Sequence, residues 1–231
     1  MARKLYDLAG ADPDRRFSPY CWRTKLALAH KGLDVETIPW RFTEKEAIAF
    51  SGQRRVPVLI DGERTVSDSW TIASYLEETY PDRPSLFGGA TGKALARFVN
   101  NWADAVVHFG MIRLVVADIH AHVAEKDRAY FRESREKRLG ATLEALSADR
   151  DQRVEALRKS LEPMRLTLAA QPYLSGDAPA YADYIVLGSF QWCRCISPFR
   201  LLEASDPVAA WRSRMLQVFD GMPGKAVGYP V

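Results

Sequence analysis

The run Arg16-Phe17-Ser18-Pro19-Tyr20-Cys21-Trp22 reads like a redox Cys-Pro-Tyr-Cys motif with serine in place of its first cysteine. A dithiol cycle is therefore closed to Cys21. At the start of a helix, however, the Ser18 hydroxyl and the neighbouring backbone N–H groups could donate hydrogen bonds to a thiolate and lower its pKa. A second stretch, Val56-Pro57-Val58-Leu59-Ile60, opens a strand with proline. That arrangement leaves the Val56 N–H and C=O to pair with an extended peptide, the more so if the Val56–Pro57 bond is cis. The third stretch is Ser67-Asp68-Ser69-Trp70. Asp68 and Ser69 stand at a helix start, where free N–H groups and the positive dipole end favour a carboxylate and Asp68 suits an ammonium group. Each stretch alone has a plainer explanation. Ser18 and Ser69 are ordinary N-caps, and Pro57 an edge-strand proline. Their order and spacing together point to one ligand site.

These residues need a frame. Lys4 to Leu8 is a strand candidate, and Ser18 to Lys31 a helix with Ser18 at the N-cap, Pro19 in the first turn and Gly32 at the stop. Val35 to Pro39 is a second strand, Thr43 to Phe50 a short helix, and Val56 to Asp61 a third strand. Asp61-Gly62 turns the chain into Arg64 to Val66, and Ser69 to Tyr80 is helical again. The order βαβαββα describes a small mixed sheet covered by helices.

Residues 81–92, PDRPSLFGGATG, break the pattern with proline and glycine and form a linker between a first domain, 1–80, and a second, 93–231. Beyond the linker every long segment has helical periodicity: Lys93 to Glu125, Tyr130 to Leu146, Val154 to Ala170 with a kink expected at Pro163, Ala180 to Ser197, and Pro207 to Phe219.

The 231 residues include 32 Lys and Arg against 29 Asp and Glu, a net charge of +3. That balance gives no ground for nucleic-acid or membrane binding and is compatible with a small anionic ligand. Three cysteines without framework spacing, and no apolar run long enough for a signal peptide or a membrane span, lead to the expectation of a cytoplasmic protein.

The combination of Ser18-Pro19, Val56-Pro57 and Asp68-Ser69, followed by an all-helical half, resembles the glutathione transferase superfamily over nearly the whole chain. The resemblance implies an α/β thioredoxin-like N-terminal domain followed by an all-α C-terminal domain. It further implies glutathione as cosubstrate, no metal, a hydrophobic small-molecule electrophile as acceptor, and a homodimer. By the same resemblance Ser18 hydrogen-bonds the glutathione sulfur and Val56, beside cis Pro57, pairs with its cysteinyl backbone. Asp68 and Ser69 hold the γ-glutamyl group. Arg55, with Gln53 nearby, meets the glycine carboxylate. Tyr20, Trp102, Val106, Phe109 and Arg113 are candidates for the acceptor site. The segment from Tyr173 to Asp183 resembles the family's capping box with Asp183 as the reciprocal acid, but Ala180 stands where Ser or Thr usually caps, which leaves half the box missing.

Three fragments, SPYCWRTKLAL, FRESREKRLGATLE and YADYIVLGSFQWCRC, resemble the bacterial glutathione-dependent β-aryl etherases and related serine-type fungal transferases. The alternatives are a non-catalytic protein that binds glutathione and hydrophobic ligands, and a thiol oxidoreductase using Cys21. Other groups have simpler readings. Cys21 is a small core residue, and Cys193 and Cys195, two apart on a helix, are packing residues rather than zinc ligands. His108, four residues after Asp104, reads as its exposed partner in preference to a pocket residue. The run Arg135-Glu136-Lys137-Arg138 reads as a solvated helix face, and Trp102, Phe109 and Trp192 as core.

Overall fold

The computed structural model describes residues 2–230. Strand β1 (Arg3–Leu8) lies inside the sheet, with β2 (Val35–Trp40) parallel on one side and β3 (Val58–Asp61) antiparallel on the other. Strand β4 (Arg64–Ser67) pairs with β3 through the turn at Gly62, giving the order β2-β1-β3-β4. Leu5, Val58 and Leu59 of the sheet are fully buried, and the helices that follow the strands are α1 (Pro19–His30) and α2 (Ser69–Thr79). The expected βαβαββα order therefore holds, with two local changes. Residues Lys45–Ser51 form a 3-10 helix, and β3 begins at Val58 rather than Val56, because the cis Val56–Pro57 peptide precedes the ladder.

The helical half starts with α3 (Ala90–Trp102), which runs through a π-helical segment, Ala103–His108, directly into α4 (Phe109–His122). The segment expected over 130–146 is divided between α5 (Glu125–Leu139) and α6 (Leu143–Ser147), because Gly140 adopts φ 73° and stops the helix. The segment expected over 154–170 is two helices, α7 (Arg150–Ser160) and α8 (Glu162–Ala170). Pro163 occupies the first turn of α8, where its missing N–H is tolerated, so it starts a helix instead of kinking one. Then come α9 (Tyr181–Ile196), α10 (Pro207–Met215) and the short α11 (Val218–Lys225).

Helix α9 is buried on nearly every face and carries the contact between the two halves. Its glycine at 188 is required there. A Cβ on Gly188 would stand 2.5 Å from the Pro19 carbonyl oxygen, so only glycine lets the start of α1 approach so closely. Arg23 of α1 crosses the same junction fully buried, donating to the Ile185 carbonyl at 3.1 Å, Asn100 Oδ1 at 3.0 Å and Asp104 Oδ1 at 2.7 Å.

The half-missing capping box is compensated by one carboxylate. Asp183 is fully buried and accepts from the N–H groups of Leu174 (2.8 Å), Ser175 (3.1 Å) and Ala180 (3.2 Å) and from the Trp211 indole (2.9 Å). The alanine cap therefore does not weaken the start of α9, because its N–H is satisfied from the N3 position and the preceding loop is tied to the same group. Asp183→Ala would leave four buried donors without an acceptor. The expected loss is about 3–5 kcal/mol of unfolding free energy, read from urea denaturation with an unchanged m-value.

Candidate functional site

A cavity of about 280 Å³ opens between the two halves at the start of α1. Its sheet-side wall contains Ser18, Pro19, Tyr20, Trp40, Phe42, Lys45, Arg55 and Val56. Its helical wall is built by His108, Ile112, Val116 and Ile119 from the π segment and α4, by Phe131, Arg135 and Arg138 from α5, and by Trp192 from α9.

Ser18 is the N-cap of α1, 4% exposed, with extended backbone (φ −68°, ψ 125°). Its Oγ accepts from the Cys21 N–H at 3.2 Å. That bond uses an oxygen lone pair and leaves the hydroxyl proton free to donate. Of the other first-turn groups, Pro19 has no N–H, and the Trp22 N–H donates to the Ser18 carbonyl at 3.0 Å. The Tyr20 N–H has no partner among the described residues. Two donors, one hydroxyl and one amide at a positive helix end, therefore converge on the mouth of α1. Cys21 is fully buried, with its Sγ toward the Tyr6 carbonyl, and burial pushes its thiol well above the usual range. It is a packing residue and faces away from the cavity wall.

Val56 is half-buried at the cavity edge, and no backbone hydrogen bond among the described residues uses its N–H or C=O. Pro57 lies buried behind it, and the bond between them is cis. Gln53 is exposed on the preceding loop, its N–H on Ser51 Oγ at 3.2 Å.

Asp68 and Ser69 lie at the start of α2, beyond the lining of the cavity. The cap there is Asp68, not Ser69. Asp68 Oδ1 accepts from the Thr71 N–H at 2.9 Å, and its backbone has the uncommon φ of 73° for a residue with a side chain. Ser69 is buried, and its carbonyl accepts from the Tyr181 hydroxyl at 2.8 Å, which ties α2 to α9.

The helical wall differs from its expectation. Of the predicted acceptor residues only Tyr20 lines the cavity. Trp102 packs partly buried against the core, Val106 and Phe109 point to solvent, and Arg113 reaches the Leu139 carbonyl at 3.4 Å. The residues of this stretch that reach the cavity are His108, the last of the π segment, and Ile112, Val116 and Ile119 of α4, while Leu95, Phe98, Val106 and Phe109 share an exposed stripe that runs through the π segment. Trp192 also lines the cavity instead of lying wholly in the core.

His108 is accordingly a cavity residue, not an exposed partner of Asp104. Its ring stacks on Trp192 (centroids 4.5 Å apart, 26° between planes), and its Nδ1 is buried without a partner. Asp104 is engaged by Arg23 instead. Burial, aided by the charges of Arg23 and Arg138, pulls the His108 imidazole down to about 4. Arg135 and Arg138, expected on a solvated face, turn toward the cavity. The Arg135 guanidinium stacks on Phe42 (5.0 Å) and Phe131 (4.7 Å), and burial beside Arg138 lowers its pKa to about 10.

No group of three or more His, Cys, Asp or Glu among the described residues is placed to hold a metal ion. Likewise, no helix among them is long and apolar enough to cross a membrane.

His108 gives a pH prediction. Its folded pKa, about 4, lies below the ordinary value of 6.5, so the unfolded chain takes up the proton first as pH falls. Stability should therefore decrease between pH 6.5 and 4, by about 3 kcal/mol from this group, and level off below. In His108→Gln, chemical denaturation across that range should show a correspondingly flatter slope.

Two family models cover most of the chain. Residues 13–84 match the N-terminal domain of glutathione S-transferase, and residues 94–213 match its C-terminal domain. Among named relatives, glutathione S-transferase U28 of Arabidopsis thaliana is 25% identical over 87% of this chain and 81% of its own length. Glutathione S-transferase 4 of Zea mays is 29% identical over 84% and 82%. Among solved structures, a glutathione S-transferase of Ceriporiopsis subvermispora in complex with glutathione superimposes with a TM-score of 0.79. It is 25% identical, covering 97% of this chain and 94% of its own. A glutathione transferase of Phanerochaete chrysosporium gives 0.77 at 27% identity, with the same coverage. A sheet lobe and an all-helical second half stand in the order of the two matched domain models, and the chain belongs to the glutathione S-transferase family.

Proposed function

We propose that this protein is a glutathione transferase that activates the glutathione thiol at the start of α1 and delivers it to an electrophile in the adjoining cavity. The observation that carries the reading is the pair of uncommitted donors there, the Ser18 hydroxyl and the Tyr20 N–H, beside a Val56 backbone without a partner. Val56 would pair with the cysteinyl backbone, Arg55, with Gln53 nearby, would meet the glycine carboxylate, and the start of α2, Asp68 with Ser69, would hold the γ-glutamyl head. The unusual backbone of Asp68 supports a site there, since uncommon conformations cluster at ligand clamps. A cysteine thiol has a pKa of about 8.5, and lowering it by about two units takes roughly 2.7 kcal/mol of preference for the anion. Two donors to a charged sulfur are of that order.

The acceptor class within this reading is the aryl ether beside a ketone. The three fragments that resemble β-aryl etherases support it, as does the aromatic lining of Tyr20, Phe42, Phe131 and Trp192. The thiolate would attack the carbon bearing the ether oxygen. A C–S bond forms, the C–O bond breaks, and its electron pair leaves on a phenolate that takes a proton from water. The chain's contribution is proximity and thiolate activation.

A homodimer fits the same reading. Leu95, Phe98 and Phe109 stand 65%, 71% and 61% exposed along α3 and the start of α4, more apolar surface than a lone helix face needs in water. The three buried, unpaired cysteines support a reducing compartment, and hence a cytoplasmic location.

Three experiments test this. Ser18→Ala should lower turnover with a general electrophile about 10- to 100-fold while changing glutathione affinity by less than about threefold. Unchanged turnover would remove Ser18 from catalysis, and mass spectrometry of products from a β-aryl-ether ketone would show a β-glutathionyl ketone and free phenol if the ether is the substrate. Phe98→Asp should convert a dimer to a monomer in analytical ultracentrifugation without loss of helical circular dichroism.

A further inference from the structure

The charged side chains that line the cavity are all of one sign. Lys45, Arg55, Arg135 and Arg138 contribute to its wall, and no Asp or Glu does. None of the four forms an ion pair with a carboxylate among the described residues, although Arg128, Arg132, Arg150, Arg153, Arg158 and Arg165 of the same helical half do. Lys45 donates to the Arg54 carbonyl at 3.0 Å, and Arg135 to Ser134 Oγ at 2.8 Å. Neither bond neutralises a charge. Clustering unpaired cations in a partly enclosed space is unfavourable unless an anion arrives, and the lowered pKa values of Arg135 and Lys45, due first to burial and then to neighbouring arginines, express that cost.

The glutathione reading accounts for part of this charge. It assigns the glycine carboxylate to Arg55, on the sheet side beside Lys45, and the γ-glutamyl carboxylate to the start of α2. Arg135 and Arg138 stand on α5, in the opposite wall with Ile112, Val116, Ile119 and Phe131. The Arg138 charge is felt at Tyr20 and at His108, so it acts on the space where an acceptor would lie. Arg135 is held between the rings of Phe42 and Phe131, which fixes its guanidinium before any ligand binds.

We infer that the acceptor is an anionic aromatic, a ring bearing a carboxylate or sulfonate, with its ring on the apolar wall and its anion on Arg135 and Arg138. This deepens the transferase reading and rests on it in giving Arg55 to the tripeptide. Arginine suits the role because its planar fork grips a carboxylate through two hydrogen bonds while its faces stay stacked on aromatic rings.

The test compares two non-reacting ligands of the same shape, 4-nitrobenzoate and 4-nitrobenzamide, by isothermal titration calorimetry on the full chain saturated with S-methylglutathione. The carboxylate should bind about tenfold more tightly than the amide. Arg138→Gln, at an exposed position, and Arg135→Gln should each abolish most of that preference, with S-methylglutathione affinity unchanged. Lys137→Gln, which removes a neighbouring charge outside the cavity, should leave it intact. Circular dichroism checks the folding of the more buried Arg135 variant, and the Arg138 variant decides alone if the other unfolds. Equal binding of the two ligands, binding of neither, or loss of S-methylglutathione affinity in the Arg138 variant would overturn the inference. The last outcome would assign the cations to the tripeptide. If S-methylglutathione itself fails to bind, the same titrations without it still read the anion preference, and the failure then falls on the transferase reading alone.

Discussion

The molecule is organised around a guanidinium that has no access to water. Arg23 leaves α1 and ends between α9 and the junction of α3 with the π segment, where three oxygens receive its N–H groups. A buried cation costs several kcal/mol in desolvation unless it is well paired, and removal of its partners is strongly destabilising. The helical half therefore cannot slide relative to α1 without breaking these bonds. Because the residue that caps α1 is Ser18, the same constraint holds the N-terminus of that helix against the cavity.

Helix α9 extends that control to a second place. The bare backbone of Gly188 receives the start of α1, and the Tyr181 hydroxyl holds the carbonyl at the start of α2. Two helix N-termini, both anion-attracting, are thus hung from one rigid buried rod, whose own start is secured by Asp183. The loop after β2 is fixed comparably. Asp127 of α5 is buried and accepts from the Phe42 and Thr43 N–H groups at 2.9 and 3.1 Å, carrying the aromatic wall of the cavity with it. Arg23, Asp127, Tyr181 and Asp183, buried at the junctions, are all hydrogen-bonded, whereas the Tyr20 N–H and His108 Nδ1 at the cavity have no partner among the described residues. That contrast separates scaffold from site.

The parts of this arrangement legible from the sequence were those with local causes. Ser18-Pro19 announced a helix start, Asp61-Gly62 a turn, and period-2 and period-3.6 patterns the alternation of strands and helices. Ser18, Tyr20, Arg55 and Val56 on the cavity's sheet side followed from these, whereas Trp40, Phe42 and Lys45 did not, and Asp68 and Ser69 lie beyond the lining. The cavity's helical side did not follow, because the apolar stripe of Leu95, Phe98, Val106 and Phe109 faces solvent, and periodicity gives a stripe but not which side of the helix meets the cavity. The inward turn of Arg135 and Arg138 was equally hidden, since a charge run looks the same whether it faces water or a pocket. The caps show the opposite error. A missing side chain at Ala180 suggested weakness that a carboxylate three residues on removes, and the cap of α2 shifted by one residue to Asp68.

The π segment also bears on how such a cavity can change over generations. A wide turn takes up one extra residue locally, so the helix on either side keeps its face: Leu95 and Phe98 before it and Phe109 after it all look to solvent. The upstream half is clamped through Asn100 to Arg23, and the downstream half carries Ile112, Val116 and Ile119 to the cavity. Insertion or loss of a single residue at this point would thus reshape the wall locally, around His108, and leave both flanking rows of side chains and the start of α1 as they are.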